Sequence, residues 1–148
     1  MFPIIMEKRY DEISTNILRL LIKFSEHIMS IEENINKLLM NNEFNKNTDF
    51  LNFVKHFGLG RFYHFRCQGY MECLVFTKCY SPMSLSYWLN RLVYPAAEHF
   101  REALSYLDKV KAIPELAGND DFRKLLTKID EFKKVSMQIM QAIKLYNL

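Results

Sequence analysis

The residues best equipped for chemistry in this chain are four histidines, three cysteines and one run in which cations alternate with aromatic rings. That run is Arg61-Phe62-Tyr63-His64-Phe65-Arg66. Guanidinium groups neutralise phosphates while rings stack on unpaired bases, so Arg61, His64 and Arg66 are candidate nucleic-acid contacts. A helix offers the same six residues a plainer arrangement, with Phe62 and Phe65 in a core and Arg61, His64 and Arg66 facing water or acidic neighbours. The overall charge favours the plainer one: 20 basic residues against 17 acidic ones give +3, spread along the chain with no broad basic surface.

Di-iron chemistry in a helical bundle normally uses Glu-x-x-His, because that spacing puts carboxylate and imidazole on one helix face. The residues three before His27, His56, His64 and His99 are Phe24, Phe53, Arg61 and Ala96, none of them a carboxylate. Cys67, Cys73 and Cys79 follow one another at six-residue intervals. That step is about 240° around a helix, which scatters the sulfurs instead of gathering them at a metal. Buried or partly buried structural thiols are expected, with no metal and no cofactor. The chain also has no Gly-x-Ser-x-Gly elbow, no His-Glu-x-x-His helix and no phosphate-cradling glycine loop. Catalysis would require a site assembled only by folding, so a noncatalytic role leads.

What the chain has in excess is rings: twelve Phe, eight Tyr and one Trp. Large rings with a polar tip suit surfaces that are half apolar and half wet. Tyr63, Tyr70, Tyr80, Tyr87, Trp88 and Tyr94 therefore mark the middle of the chain as a candidate partner-binding surface. Core packing is the competing role for the same rings. The functional expectation is a noncatalytic protein–protein interaction or adaptor module, presenting an aromatic helical surface or groove to another protein, with an amphipathic helix as one form of contact. The alternative is an RNA-binding or RNA-processing bundle centred on Arg61, His64 and Arg66. A homo-oligomer formed through the first or last helix is a third reading.

Positioning these residues falls to helices. Ile17, Leu21, Phe24, Ile28, Ile31, Ile35 and Leu38 recur at spacings of four and three, predicting a first helix from about Glu7 to Met40. The asparagine-rich stretch from Asn41 to Asn47 reads as a loop. Asn47 or Thr48 can cap a short helix that reaches His56, and Gly58 and Gly60 then offer a turn. A third helical stripe follows through Phe62, Phe65, Gly69, Cys73, Phe76 and Tyr80, with a buried strand over 73–76 as its competitor. Ser81-Pro82-Met83-Ser84 starts a fourth helix, carried by Leu85, Trp88 or Leu89, Leu92, Ala96, Phe100, Ala103, Leu107 and Val110 and kinked or broken near Tyr94 by Pro95. Asn119-Asp120-Asp121 caps a last amphipathic helix through Phe122, Leu125, Ile129, Phe132, Ser136, Ile139, Ile143 and Tyr146. The expected fold is all-α: one compact four- or five-helix bundle, spanning 1–148 as a single domain, with a proline-kinked or broken fourth helix.

Two stretches carry a family likeness. Ala96-x-x-x-Phe100-x-x-Ala103 resembles the second helix of a tetratricopeptide repeat, whose small residues allow close packing against large neighbours. The pattern running from Ile17 through Leu21, Phe24-Ser25-Glu26 and Ile28 is similar to the death-motif helix of apoptosis regulators, which implies a helix-binding bundle as a minor alternative. Helical ribonucleases of the HEPN class pair Arg with His at a set spacing that neither Arg91/His99 nor Arg61/His64 matches. Three cysteines leave at least one unpaired, and the apolar run from Met1 to Met6 is too short for a signal segment. An intracellular, chiefly cytoplasmic protein is expected, with the nucleus as the other compartment. No stretch approaches the ~20 apolar residues that span a bilayer, so no membrane anchor is expected.

Overall fold

The structure, a computed structural model, describes residues 4–145, with side chains from Arg9 onward. Tyr146 and the start of the run from Met1 to Met6 lie outside the described residues. Helix α1 (Ile4–Leu39) is as long as its stripe predicts, and all seven stripe positions from Ile17 to Leu38 are buried. The next segment departs from expectation. Instead of a plain loop, Asn42–Asn45 forms a single helical turn, α2, because the Asn41 side chain accepts from the Glu43 N–H at 2.8 Å and Phe44 is completely buried beneath it.

Helix α3 (Thr48–Thr77) begins where the Asn47 side chain accepts from the Phe50 N–H at 2.9 Å. It then runs unbroken through Gly58 and Gly60, where a turn was expected. Its buried face is Phe50, Phe53, Phe57, Gly60, His64, Cys67, Met71 and Leu74, a strict alternation of threes and fours. The stripe read through Phe62, Phe65, Cys73 and Phe76 lies off that face, with Phe62, Cys73 and Phe76 exposed. Gly60 belongs to the buried face for the space it leaves and not for a turn. The strand alternative for 73–76 also falls, and no strand occurs among the described residues. Lys78, in the left-handed region at φ 55, ends the helix.

Ser81 caps α4 (Pro82–Trp88) through a capping box: Ser84 N–H donates to Ser81 Oγ at 3.0 Å and Ser81 N–H donates to Ser84 Oγ at 2.9 Å. The proline-driven irregularity expected near Tyr94 is a π-helical segment over Leu89–Val93, followed directly by α5 (Tyr94–Lys111). Tyr94 N–H reaches back five residues to the Leu89 carbonyl, so the turn widens ahead of Pro95, whose ring would clash in a regular helix. After the short α6 (Pro114–Ala117), Asn119 accepts from the Phe122 N–H at 3.0 Å and starts α7 (Asp120–Lys144).

The result is an all-helical bundle of four long passes, the third of them the bent α4–α5 unit. Helix α1 packs on α7 and α3, and α3 packs on α5. The fourth side of the ring is different: α5 and α7 do not lie close along their length, and meet through Phe100 and Phe132, whose ring centres are 5.0 Å apart. Phe24 and Phe57 close this central ring cluster from α1 and α3, at 4.5 and 5.7 Å from Phe132. No helix among the described residues is long and apolar enough to cross a membrane.

Candidate functional site: the α3–α5 seam and the α5–α7 groove

The bundle builds two different surfaces on either side of α5. On the α3 side the backbones approach closely, because a Cβ placed on Gly60 would stand 2.6 Å from the Phe100 ring and Ala96 and Ala103 are buried at the same contact. The small residues that gave the tetratricopeptide likeness are thus used for close helix packing. Rings fill the outer edge of this seam. Tyr63 stacks on His99 at 5.6 Å, His99 on His56 at 5.8 Å and His56 on Tyr106 at 5.6 Å, and the Lys109 ammonium lies 4.9 Å over Tyr106. His56 Nδ1 is buried in this column without a hydrogen-bond partner among the described residues.

Tyr70 lies one heptad beyond Tyr63 on the same face of α3, and its ring meets Tyr87 of α4 at 5.3 Å. These two rings, Met83, Ser81 and Ser84 wall an uncharged open pocket of about 460 Å³. Met83 is 82% exposed and Tyr87 50%, and Tyr94 is also exposed. Of the six rings proposed for partner contact, Tyr63, Tyr70, Tyr87 and Tyr94 are therefore accessible in part or in full. Trp88 and Tyr80 are in the core. Trp88 is completely buried and its indole N–H donates to the Cys67 carbonyl at 3.0 Å. Tyr80 donates its hydroxyl to Asp11 at 3.1 Å, and burial together with that carboxylate pushes its pKa up to about 12.

The Arg61–Arg66 run is split by the fold. Arg61 and Arg66 are exposed, whereas His64 is 2% exposed and faces inward, the reverse of the face assigned to it from sequence. Phe62, expected inside, is exposed and lies under the Arg66 guanidinium at 4.9 Å. Arg61 lies over Phe65 and pairs with Glu32 at 2.5 Å. Burial raises the Glu32 pKa, opposed by that same arginine.

His64 has one contact that invites a catalytic reading: its Nε2 is 2.8 Å from Ser25 Oγ. The same nitrogen is 3.0 Å from the Leu21 carbonyl, which can only accept, so Nε2 carries the proton and donates. Ser25 keeps its own proton, directed at Gln68 Oε1 at 2.5 Å or the Leu21 carbonyl at 3.1 Å. An Nε2–H imidazole cannot draw that proton through Nε2, so the pair is a buried structural network joining α1 to α3. Burial lowers the His64 pKa to about 4, against a smaller opposing effect of the Leu21 carbonyl. Cys67 is buried and its thiol pushed up to about 12 by burial, whereas Cys73 and Cys79 are exposed, contrary to the expectation of buried or partly buried thiols. All three are free. No group of three or more His, Cys, Asp and Glu among the described residues could hold a metal ion.

On its other side α5 forms a groove with α7. It holds about 530 Å³ between Ala97, Phe100, Leu104, Phe132 and Met137, with Arg101, Asp108 and Lys133 along its walls. Ala97, Phe100 and Ser136 also line a smaller pocket of about 40 Å³, whose other walls include Leu21, His64 and Ile139. Sequence reasoning found neither this groove nor the histidine column. The column had a signal, since His56 and Tyr63, like His99 and Tyr106, are seven residues apart. The groove had none, because it arises from two helices failing to close. The architecture defines an all-α bundle, and comparison with protein-family models, curated proteins and solved structures finds no match for this chain.

Proposed function

We propose that this chain is a noncatalytic protein-interaction module, and that its contact surface is the aromatic edge of α3 and α4. The observation that supports this reading is the uncharged pocket between Tyr70 and Tyr87, with Met83 standing 82% exposed at its rim. A solvent-facing methionine beside two half-open tyrosines is costly to leave in water and is well suited to receive an apolar side chain, with the phenol groups left for hydrogen bonds at the rim. Phe76, 90% exposed near the end of α3, adds apolar surface to the same half of the sequence.

The test is affinity purification of the tagged full-length protein from native cell extract, with nuclease-treated and untreated samples compared by quantitative mass spectrometry. A stoichiometric protein partner that survives nuclease and is lost with Met83→Glu or Tyr87→Ala supports the module. Recovery that disappears with nuclease, and with Arg61→Ala and Arg66→Ala, replaces it with the RNA reading, for which the exposed Arg66–Phe62 pair is the supporting feature.

A further inference from the structure

We propose that α3 pairs through its outward face with the same face of a second copy of this chain, the two helices running antiparallel. The face is built symmetrically about the level between Tyr63 and His64. Phe62 and Phe65 stand at its middle, with Gly58 and Gly69 four residues further out on either side. Lys55 and Glu72 follow three residues beyond the glycines, and Leu51 and Phe76 four beyond those. Alternating steps of three and four are the a/d repeat of a coiled coil. At ~100° per residue these positions lie across the helix from its buried face, which runs from Phe50 to Leu74. Phe76 is 90% exposed, Phe62 52% and Leu51 42%, while Phe65 and Gly69 are half-buried. A helix that is apolar on both sides is suited to pack on both sides.

Two glycines point to a helix as the occupant. Glycine inside a helix is destabilising relative to alanine unless its missing side chain makes room for something. Gly60, on the core face, makes room for the Phe100 ring. A Cβ on Gly58 or Gly69 would meet nothing within 4 Å, so neither has a packing role inside one chain. Both sit in the outward face, where small residues let a second helix come close.

The order of residues selects which helix, and in which direction. An antiparallel copy sets Phe62 level with Phe65 of the second chain, Gly58 with its Gly69, Leu51 with its Phe76 and Lys55 with its Glu72. Rings then meet rings, glycines meet where the backbones approach, and each charge meets its opposite. Lys55 and Glu72 form no ion pair among the described residues, and the Glu72 carboxylate accepts from the Gln68 amide at 3.1 Å. A parallel copy would instead set Lys55 against Lys55 and Glu72 against Glu72. Arg61 and Arg66 lie on opposite flanks of the face, folded over Phe65 and Phe62, and Arg61 is neutralised by Glu32 at 2.5 Å.

The size of the contact sets its strength. From Leu51 to Phe76 the face runs ~37 Å, and at a helix width of ~10 Å it covers on the order of 400 Å² on each chain. Met29 of α1 adds to it: it is 54% exposed and lies between Ser25 and Glu32, which both contact α3. The helix footprint is about half the ~800 Å² that one partner gives to a stable complex, so the dimer is reversible, with a micromolar dissociation constant. The pocket between Tyr70 and Tyr87 lies off this face, since Tyr70 is ~100° round the helix from Gly69, and it stays open in the dimer.

The experiment is sedimentation equilibrium of the full-length protein from about 5 to 500 μM, a range that brackets a micromolar dissociation constant. The wild type is expected to pass from monomer to dimer. Phe62→Ser, at the centre of the face, should weaken the dimer by at least about tenfold. Lys55→Glu and Glu72→Lys each turn two attractive levels into two repulsive ones and should each weaken it by about tenfold. An equimolar mixture of these two variants should dimerise as well as the wild type, because every level again holds one acid and one base. That recovery excludes misfolding as the cause of the single losses, and circular dichroism like that of the wild type checks the fold of each variant. Tyr87→Ala should leave the dimer unchanged, which separates this face from the proposed partner surface. A wild type that stays monomeric over the whole range, a folded Phe62→Ser that dimerises fully, or a mixture that does not recover each overturns the proposal. Single charge variants that dimerise as tightly as the wild type overturn the antiparallel pairing, because a parallel dimer holds like charges at these levels before and after the change.

Discussion

Helix α5 has two neighbours and is treated oppositely by them. Against α3 it is sealed: Gly60 receives the Phe100 ring, Ala103 is fully buried, and a column of four rings covers the edge. Against α7 the same Phe100 meets another phenyl, Phe132, at 5.0 Å, and a groove opens beside the contact. The contrast lies in what each neighbour presents to one ring. A glycine admits it into the helix surface, whereas a phenylalanine stops it a ring's width away. Interaxial distance follows the side chains at the contact, so one residue on each partner goes far towards setting whether the seam closes.

Removing the shared ring should have the largest effect, because Phe100 serves both seams. Phe100→Ala is expected to destabilise the protein by about 3–5 kcal/mol in urea unfolding, the range for truncating a buried phenyl that leaves a cavity. A loss below about 1 kcal/mol would show that Phe132 and Phe57 collapse into the space and that the ring does not hold the α5–α7 seam apart.

The next effect belongs to His64, which sits beneath both seams. Its pKa falls from 6.5 unfolded to about 4 folded, so between those values the unfolded chain binds more protons and stability declines as pH falls. The full contribution is present above pH 6.5, and about 3 kcal/mol is lost by pH 4. Comparing wild type with His64→Gln in urea at pH 7 and pH 4 isolates it: the variant should lack this part of the pH dependence. Identical slopes in the two proteins would mean that His64 accepts its proton in the folded state as readily as in the unfolded chain.

Gly60→Ala probes the sealed side more finely. Alanine gains about 1 kcal/mol in a helix interior, yet its Cβ would stand 2.6 Å from the Phe100 ring, which Phe24, Phe57 and Phe132 hold in place. Overpacking of this kind costs about 1–3 kcal/mol, so a net loss of about 1 kcal/mol is expected. In a Phe100→Ala background the same substitution should become stabilising, and a double-mutant cycle measures that reversal.

This glycine also shows where the sequence was readable and where it was not. The stripes of α1 and α7 are built mainly of large aliphatic and aromatic residues: all seven α1 positions are buried, and so are Phe122, Leu125, Ile129, Phe132, Ile139 and Ile143 of α7, whereas Ser136 is half-buried and the core position beside it is Val135. The buried face of α3 repeats just as regularly, but it passes through Gly60 and His64, two residues that hydropathy counts as a break and a solvent position. With those removed, the eye slides to Phe62, Phe65 and Phe76, a stripe that turned out to lie off the core face and largely in water. The helix starts at Asn47, Ser81 and Asn119 were legible because a capping side chain acts on its own next turn, although the capping residue itself stood between Asn47 and Thr48 in one case and Ser81 and Ser84 in another. Of the candidate surface, Tyr70 and Tyr87 could be chosen as rings with polar tips, while the buried Trp88 and Tyr80 satisfy their polar tips on Cys67 and Asp11, distant in sequence.

The smallest predicted effect is the sharpest test of the two-sided reading, because it uses one chemical change at two alanines of one helix. Ala103 is fully buried at the α3 contact, so Ala103→Leu must force three extra carbons into a closed space and should cost about 1–3 kcal/mol. Ala97 stands six residues earlier, exposed at the groove, with the same helical backbone and nearly the same intrinsic cost for leucine. Ala97→Leu is therefore expected to change stability by no more than about 0.5 kcal/mol in either direction, because the new side chain enters space that is already there. Equal losses at both positions would show that α7 approaches α5 in solution as closely as α3 does, and the groove would then be closed.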